Sequence, residues 1–383
     1  MVLDWQAVRE QFSVLRDWAY LNTATFGPVP RCAIGAMEGY FRRRDERACV
    51  DFVEWFDDAA RVRSLAAALI HAEPSDMAFA PSTGAALGWL VQGLDWRPGD
   101  RVVALEHEFP TNSYTAHSLA ARGVEFVEVP LPAGEFRLDR FLDAIDARTR
   151  LVLLSAVSYS SGLRPPLAEI GRALRERGVR LYVDATQSLG ALQLDVRSVP
   201  VDMLAVHAYK WLCSPPGIGF AYIPPETRAW LAPALYSWRS HQDWRQVEQL
   251  HTGPPELPEG AEKYEGGIQN FSGIFALGAV LEMMLDLGVE RIERRVLGLA
   301  ESARGLLRAA GAVLPADRFP YYDSSLAVGC FPNTDVAALA ARLRDARVAV
   351  AVRQGTLRVS PHFFNNEADL GRLAEALARP GNS

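Results

Sequence analysis

From Asp76 onward, short aliphatic runs alternate with stretches whose apolar residues recur at helical spacing. Asp76–Ala80, Arg101–Leu105, Val124–Val129, Leu151–Val157, Arg180–Asp184, Met203–Val206 and Ile218–Ile223 read as strands. Several, such as LVLLSAV, are apolar on both faces, the pattern of strands covered by helices on each side. Between two of them, PLAEIGRAL opens on proline and closes ahead of Gly178, as a helix does. Alternation sustained from Asp76 to Ile223 predicts an α/β fold around a large, doubly wound, mostly parallel sheet.

The pattern changes after Ile223. Leu235–Gly267 is polar, carries PPELPEG and is too long for a plain connector. Loops of that length tend to cover a site, so Tyr236-Ser237-Trp238-Arg239-Ser240-His241 is expected beside a substrate pocket, in this chain or a partner. Two long helices, Ile268–Leu287 and Val289–Ala310, lead into a smaller C-terminal α/β unit. Its expected elements are strand Ser325–Phe331, helix Thr334–Arg347, strands Val348–Val352 and Thr356–Val359, and helix Asn366–Ala378. The expected division is an N-terminal segment, 1–20, packing on the small domain, then a large domain, 21–265. The connecting helices and small domain occupy 266–383.

Composition narrows the function. With 383 residues and 49% hydrophobic content the chain can bury a substantial core. A net charge of −6 gives no electrostatic reason to bind nucleic acid or an anionic membrane. The run Arg42–Arg47 is balanced by acids and reads as a solvated helix face. Asp4, Arg9 and Arg16 interrupt the N-terminus before a signal-peptide core forms. The apolar stretch Ile268–Leu281 is shorter than the roughly 18 residues a membrane span needs. The four cysteines lack metal or disulfide spacing, so a soluble protein in the reducing cytoplasm is expected.

Lysine occurs twice, at 210 and 263, although Lys and Arg together number 40. Arginine can replace lysine as a surface charge but cannot form an imine. A desolvated lysine can lose its proton and attack a carbonyl. Lys210 follows the strand Met203–Val206 and precedes PPGIG, a tight turn into the next strand, which places it at the carboxyl edge of the sheet. Upstream, Asp184 ends the apolar strand RLYVD, where an unpaired carboxylate is costly and a cationic partner is needed. In APSTGAAL a strand ends, hydroxyl residues cap and a helix begins, a geometry suited to phosphate. No Gly-x-Ser-x-Gly elbow or GxGxxG fingerprint occurs, and the seven histidines lack metal spacing.

Phosphate cradle, strand-end aspartate and strand-end lysine, in that order, outline a pyridoxal 5′-phosphate (PLP) site. The chain resembles the class V aminotransferases of PLP fold type I, the group with cysteine desulfurases and isopenicillin N epimerase-like proteins. The resemblance runs through YLNTATFGPVP, PSTGAAL, LEHEFPTN, YVDATQS, AYKWLCSPPGIGF, YEGGIQN and LRVSPHFFN. It implies that Lys210 carries the Schiff base and moves protons at the substrate Cα, and that Asp184 pairs with the pyridine nitrogen. By the same likeness Gln187 donates to the ring's phenolic oxygen, and Ser82, Thr83 and Gly84 hold the phosphate, helped by His207 and Tyr209. Phe109 stacks on the ring, with His107 as second choice. Arg358 and Asn22 bind the substrate, Arg358 through its α-carboxylate.

Three departures shape the expectation. Desulfurases of this group carry a catalytic cysteine shortly before the carboxylate-binding arginine, but here VAVAVRQGTLR has none, and Cys330 in LAVGCF reads as core. Where a partner-subunit threonine reaches the phosphate, this chain has Ile268, and where an asparagine lies near the ring oxygen it has Tyr159. The resemblance therefore points to transamination or epimerisation of an amino acid by a homodimer. The alternatives are a C–S lyase or desulfurase-like enzyme, and a non-catalytic PLP-binding regulator. The segment before Tyr20 is too short to supply the DNA-binding module that such a regulator carries.

Overall fold

The structure, a computed structural model, describes residues 4–378, so the outermost bounds of the expected domains lie outside the described residues. Its strands in chain order are β1 (Ala19–Tyr20), β2 (Met77–Ala80), β3 (Arg101–Leu105), β4 (Glu125–Val129), β5 (Thr149–Ser155) and β6 (Arg180–Asp184). They continue with β7 (Met203–His207), β8 (Gly219–Tyr222), β9 (Ala327–Gly329), β10 (Val348–Ala349), β11 (Ala351–Arg353) and β12 (Thr356–Val359). Seven form one sheet in the order β2-β8-β7-β6-β5-β3-β4. Only β8 runs antiparallel to its neighbours in this sheet, β7 and β2. The sheet is mostly parallel, as the double-sided apolar runs predict.

Side-chain alternation explains why both faces are buried. Val152, Leu154 and Val183 enter one hydrophobic core, while Leu151, Leu153 and Tyr182 enter the core on the other face. Each fully buried aliphatic side chain contributes about 1.5–3 kcal/mol of transfer free energy. A third core joins Ala19 and Leu21 to Leu307, Val348, Leu357 and Leu373.

The stretch expected as one strand, Val348–Val352, divides at Val350. Its first part pairs in parallel with β1, Ala19 opposite Val348, and its second part pairs antiparallel with β12. One strand cannot serve both sheets, so the backbone breaks where it passes between them. Arg9 adds a bidentate bridge to the buried Asp369, at 2.6 and 2.9 Å.

Two helices precede the expected alternation: Arg31–Arg47, whose end carries the run read as a helix face, and Phe52–Ile70. The second buries Trp55, Phe56, Ala59, Val62 and Ala66 at helical spacing. Arg43, from the run read as a solvated face, donates to Glu54 and Asp58 at 2.9 and 2.8 Å.

No residue of the long polar stretch lines the cavities at the carboxyl edge of the sheet in this chain. Arg239 is 4% exposed and packs 4.6 Å from the Phe56 ring and 4.8 Å from the Trp244 ring. Its guanidinium and that of Arg63 surround the buried Glu265, which also accepts from the Phe79 N–H at 2.8 Å. A buried carboxylate needs such partners, and meeting that need draws the loop inward. Cys330 is likewise not core. It is exposed at the end of β9, where its backbone pairs with Val313. Among the described residues no single helix is long and apolar enough to cross a membrane.

Gly27 fixes the backbone of the Lys210 loop. Its N–H donates to the Tyr209 carbonyl at 2.8 Å, and an added Cβ would lie 1.9 Å from the Lys210 carbonyl oxygen. Gly27→Ala is expected to lower unfolding stability by about 1–3 kcal/mol in a urea titration, through overpacking. Gly35→Ala, in an open helical position, is expected to raise it by about 0.5–1 kcal/mol.

Candidate active site

The carboxyl ends of the parallel strands converge on one cavity, the usual location for a ligand in an open α/β sheet. β6 ends on Asp184, and β7 ends three residues before Lys210. β2 leads through Ser82 into the helix Thr83–Gly93, and β3 leads to Phe109 at the cap of the helix Pro110–Ser118. The nine residues expected at a cofactor, Ser82, Thr83, Gly84, Phe109, Asp184, Gln187, His207, Tyr209 and Lys210, all line this cavity.

Lys210 is 6% exposed. Its Nζ lies 5.1 Å from the centre of the Phe109 ring and 5.5 Å from that of Tyr209. Burial pulls its pKa down to about 8. Asp184 opposes that shift, and the nearby cations Arg358 and Arg353 add to it. Asp184 is also buried, which raises its carboxyl pKa, while the Thr186 N–H at 2.9 Å and Lys210 pull it back. Each group is costly alone, and each lowers the cost of the other.

The helix that follows β2 opens on a capping serine. Ser82 Oγ accepts from the Ala85 N–H at 3.2 Å, capping a helix whose first N–H groups have no intrahelical acceptor. A Cβ on Gly84 would sit 3.2 Å from Thr111 Cγ2, so this glycine leaves space that Thr111 closes. Behind it, Tyr182 Oη donates to the Thr83 carbonyl at 3.1 Å.

His207 is neutral at physiological pH. Burial and the Lys210 charge lower its pKa to about 4, and its Nε2 accepts the Gly217 N–H at 3.2 Å. Gln187 donates one amide hydrogen to the Ala24 carbonyl at 3.0 Å and accepts from the Trp211 indole at 2.8 Å. Its second amide hydrogen is left for the cavity.

Arg358 and Asn22 do not line this cavity but sit one link behind it. Arg358 donates to the Tyr159 carbonyl at 2.5 Å and to Thr25 Oγ1 at 2.7 Å, and Thr25 in turn donates to Asn22 Oδ1 at 2.7 Å. His107 is exposed and lines a neighbouring cavity, which shares Phe109, Ser155 and Tyr159 with this one, whereas Phe109 lines both. Lys263 lies elsewhere, bonded to the Arg228 carbonyl at 3.2 Å.

Sequence reasoning missed Thr111, Ser155, Val157 and Thr186, all on the wall. It also missed Glu108, whose carboxylate accepts from the Ser155 N–H and hydroxyl at 2.7 and 2.6 Å and from Asn112 at 3.0 Å. The stretch HEFPT, opening a helix after a strand, was the available signal for Glu108 and Thr111.

The sequence profile of the family described as Aminotransferase class-V matches residues 19–371. The chain belongs to this family. It is therefore an enzyme of a PLP-dependent class-V family. A probable cysteine desulfurase of Methanothermobacter thermautotrophicus is 27% identical, over 97% of this chain and 96% of that protein. An isopenicillin N epimerase of Streptomyces clavuligerus is 28% identical, over 98% of each. Among solved structures, the cystine C–S lyase C-DES in complex with cysteine persulfide superposes with a TM-score of 0.88 at 22% identity. That match covers 96% of this chain and 99% of the other. A cysteine desulfurase from Thermococcus onnurineus NA1 superposes with a TM-score of 0.85 at 22% identity, covering 97% of each. These structural likenesses identify the class-V fold, PLP fold type I.

In the cofactor-free class-V protein, Lys210 should become reactive as it deprotonates near pH 8. Its folded pKa lies below the ordinary lysine value of 10.5, so the neutral amine gains ground from about pH 8 upward. Acylation of Lys210 by acetic anhydride, followed by peptide mass spectrometry, is expected to reach half its maximal rate near pH 8. Asp184→Asn should move that midpoint down and Arg358→Gln should move it up. A midpoint near 10.5 would contradict the burial argument.

Proposed function

We propose that this class-V enzyme removes the α-proton of an amino acid held on PLP and carries the result to transamination or epimerisation. The observation that carries this reading is that the buried Lys210 amine, the buried Asp184 and the Ser82-capped N-terminus of the helix Thr83–Gly93 line one cavity. PLP supplies an aldehyde that condenses with amines and a pyridine ring that accepts the electron pair released at Cα.

The residues fit that group. The Thr83 and Gly84 N–H groups with Ser82 would hold the phosphate, and Asp184 would hold a proton on the pyridine nitrogen. Phe109 would cover one face of the ring, and Gln187 has a free N–H for the phenolic oxygen. Lys210 Nζ would move the proton at the substrate Cα. Arg358 orients the α-carboxylate.

Desulfuration needs a protein thiolate to take up sulfur. None of the four cysteines lines the site, and only Gln354 and Gly355 join β11 to β12 where such a cysteine would be carried. Cys213 is the nearest in sequence to Lys210, and burial pushes its pKa far up, which keeps it a thiol. A homodimer is part of this reading, supported by large apolar residues left open to solvent: Ile268 at 70%, Tyr236 and Leu235 at 56% and Phe26 at 52%. The compartment proposed is the cytoplasm.

A panel of L-amino acids with keto-acid acceptors tests the reading, with keto acids, D-isomers, pyruvate, ammonia and sulfide assayed together. Keto acid or D-isomer formation is expected, with Lys210→Ala lowering the rate by about 10²–10⁴-fold. Rapid sulfide release from cysteine would overturn it. Sedimentation should give a dimer, and Ile268→Asp should shift it toward monomer.

A further inference from the structure

We infer that the substrate carries a second carboxylate, recognised by Arg353 acting beside Arg358. This deepens the proposed function and rests on it.

β11 and β12 are joined by Gln354 and Gly355, whose φ values of 47° and 73° are those of a two-residue turn with both central residues left-handed. Such a turn fixes the register, with Ala351 opposite Arg358 and Arg353 opposite Thr356. Side chains alternate along a strand, so residues 351, 353, 356 and 358 share one face. Arg353 and Arg358 are therefore diagonal neighbours on the face that meets the N-terminal loop. A slip of one residue would turn both away.

Both guanidiniums converge on a single hydroxyl. Thr25 Oγ1 accepts from Arg358 Nη2 at 2.7 Å and from Arg353 Nη2 at 3.1 Å, while donating to Asn22. A neutral hydroxyl satisfies hydrogen bonds but offsets no charge. Among the described residues neither arginine makes a salt bridge, whereas most buried or half-buried arginines here do, including Arg9, Arg63, Arg239 and Arg304. Arg358 is 1% exposed, and its buried Nε has no partner at all.

Arg353 also donates to the Val352 carbonyl at 2.8 Å, so both guanidiniums are held by neutral acceptors alone, an arrangement suited to an anion that arrives with the substrate. One α-carboxylate neutralises one of the two charges. The other is left facing Arg358 in a site where Lys210 and Asp184 already balance each other. Two carboxylates close the account, and the short hairpin, with no long loop above it, leaves Arg353 free to reach the second.

The test uses holoenzyme and matched probes. Glutarate and pentanoate have the same length but differ by one carboxylate, and lack the amine. Calorimetry is expected to show glutarate binding about tenfold or more tighter than pentanoate. Arg353→Gln should abolish that preference and leave pentanoate affinity unchanged, while Arg358→Gln should weaken both. In turnover, Arg353→Gln should raise KM for L-glutamate or L-aspartate with little change for L-norvaline and little change in kcat. Equal affinity for glutarate and pentanoate, or equal loss of both in Arg353→Gln, would mean that the two guanidiniums share one carboxylate, and would overturn the inference even if amino acids turn over. An Arg353-dependent glutarate preference without turnover of any amino acid would instead overturn the proposed reaction alone.

Discussion

An ammonium and a carboxylate taken out of water together set the terms for this molecule. Asp184 and Lys210 stand at the ends of neighbouring strands, both almost wholly buried. Each lowers the cost of burying the other, because an isolated buried charge costs several kcal/mol. Parallel pairing of β6 with β7 brings the loop that carries Lys210 to the end of the sheet where Asp184 stands. Burial on both sheet faces keeps water away from them. The surrounding helices, caps and tight glycine contacts keep that pair in place.

Around it, electrostatics divide the cavity into regions. The helix N-terminus at Thr83 offers positive dipole to an anion, while neutral His207 adds no charge beside Lys210. Behind its wall Arg353 and Arg358 form a second positive region joined through Thr25. A flat, anionic, proton-bearing ring suits the first region, and carboxylates suit the second. Glu108 braces the wall between β3 and β5 through Ser155.

Most of the large sheet was legible because its strands are short apolar runs ended by polar residues with specific duties. Asp184, Lys210 and Ser82 stand out for the same reason, since each breaks the local apolar rule at a strand end. What escaped detection depends on contacts distant in sequence. The inward pull of Arg239 depends on Glu265, Arg63 and Phe56, which belong to separate segments. Helix Phe52–Ile70 carries a helical stripe, but it stands ahead of the strand–helix alternation that begins at Asp76. The pairing of β1 with β10 uses only two residues from each strand, too few for any periodic signal. Cys330 looked like core because its neighbours are, but alternation in an edge strand turned it outward. The junction at Thr25 is a tertiary meeting of three segments, and no local pattern marks it.

The central claim is that Lys210, and no other amine, faces the cofactor aldehyde across from Asp184. Because the chain has only two lysines, borohydride reduction of the PLP-loaded protein followed by peptide mass spectrometry tests this directly. The account predicts a phosphopyridoxyl group on the peptide containing Lys210 and none on the peptide containing Lys263. Modification of Lys263, or no stable modification of protein saturated with the cofactor, would contradict it.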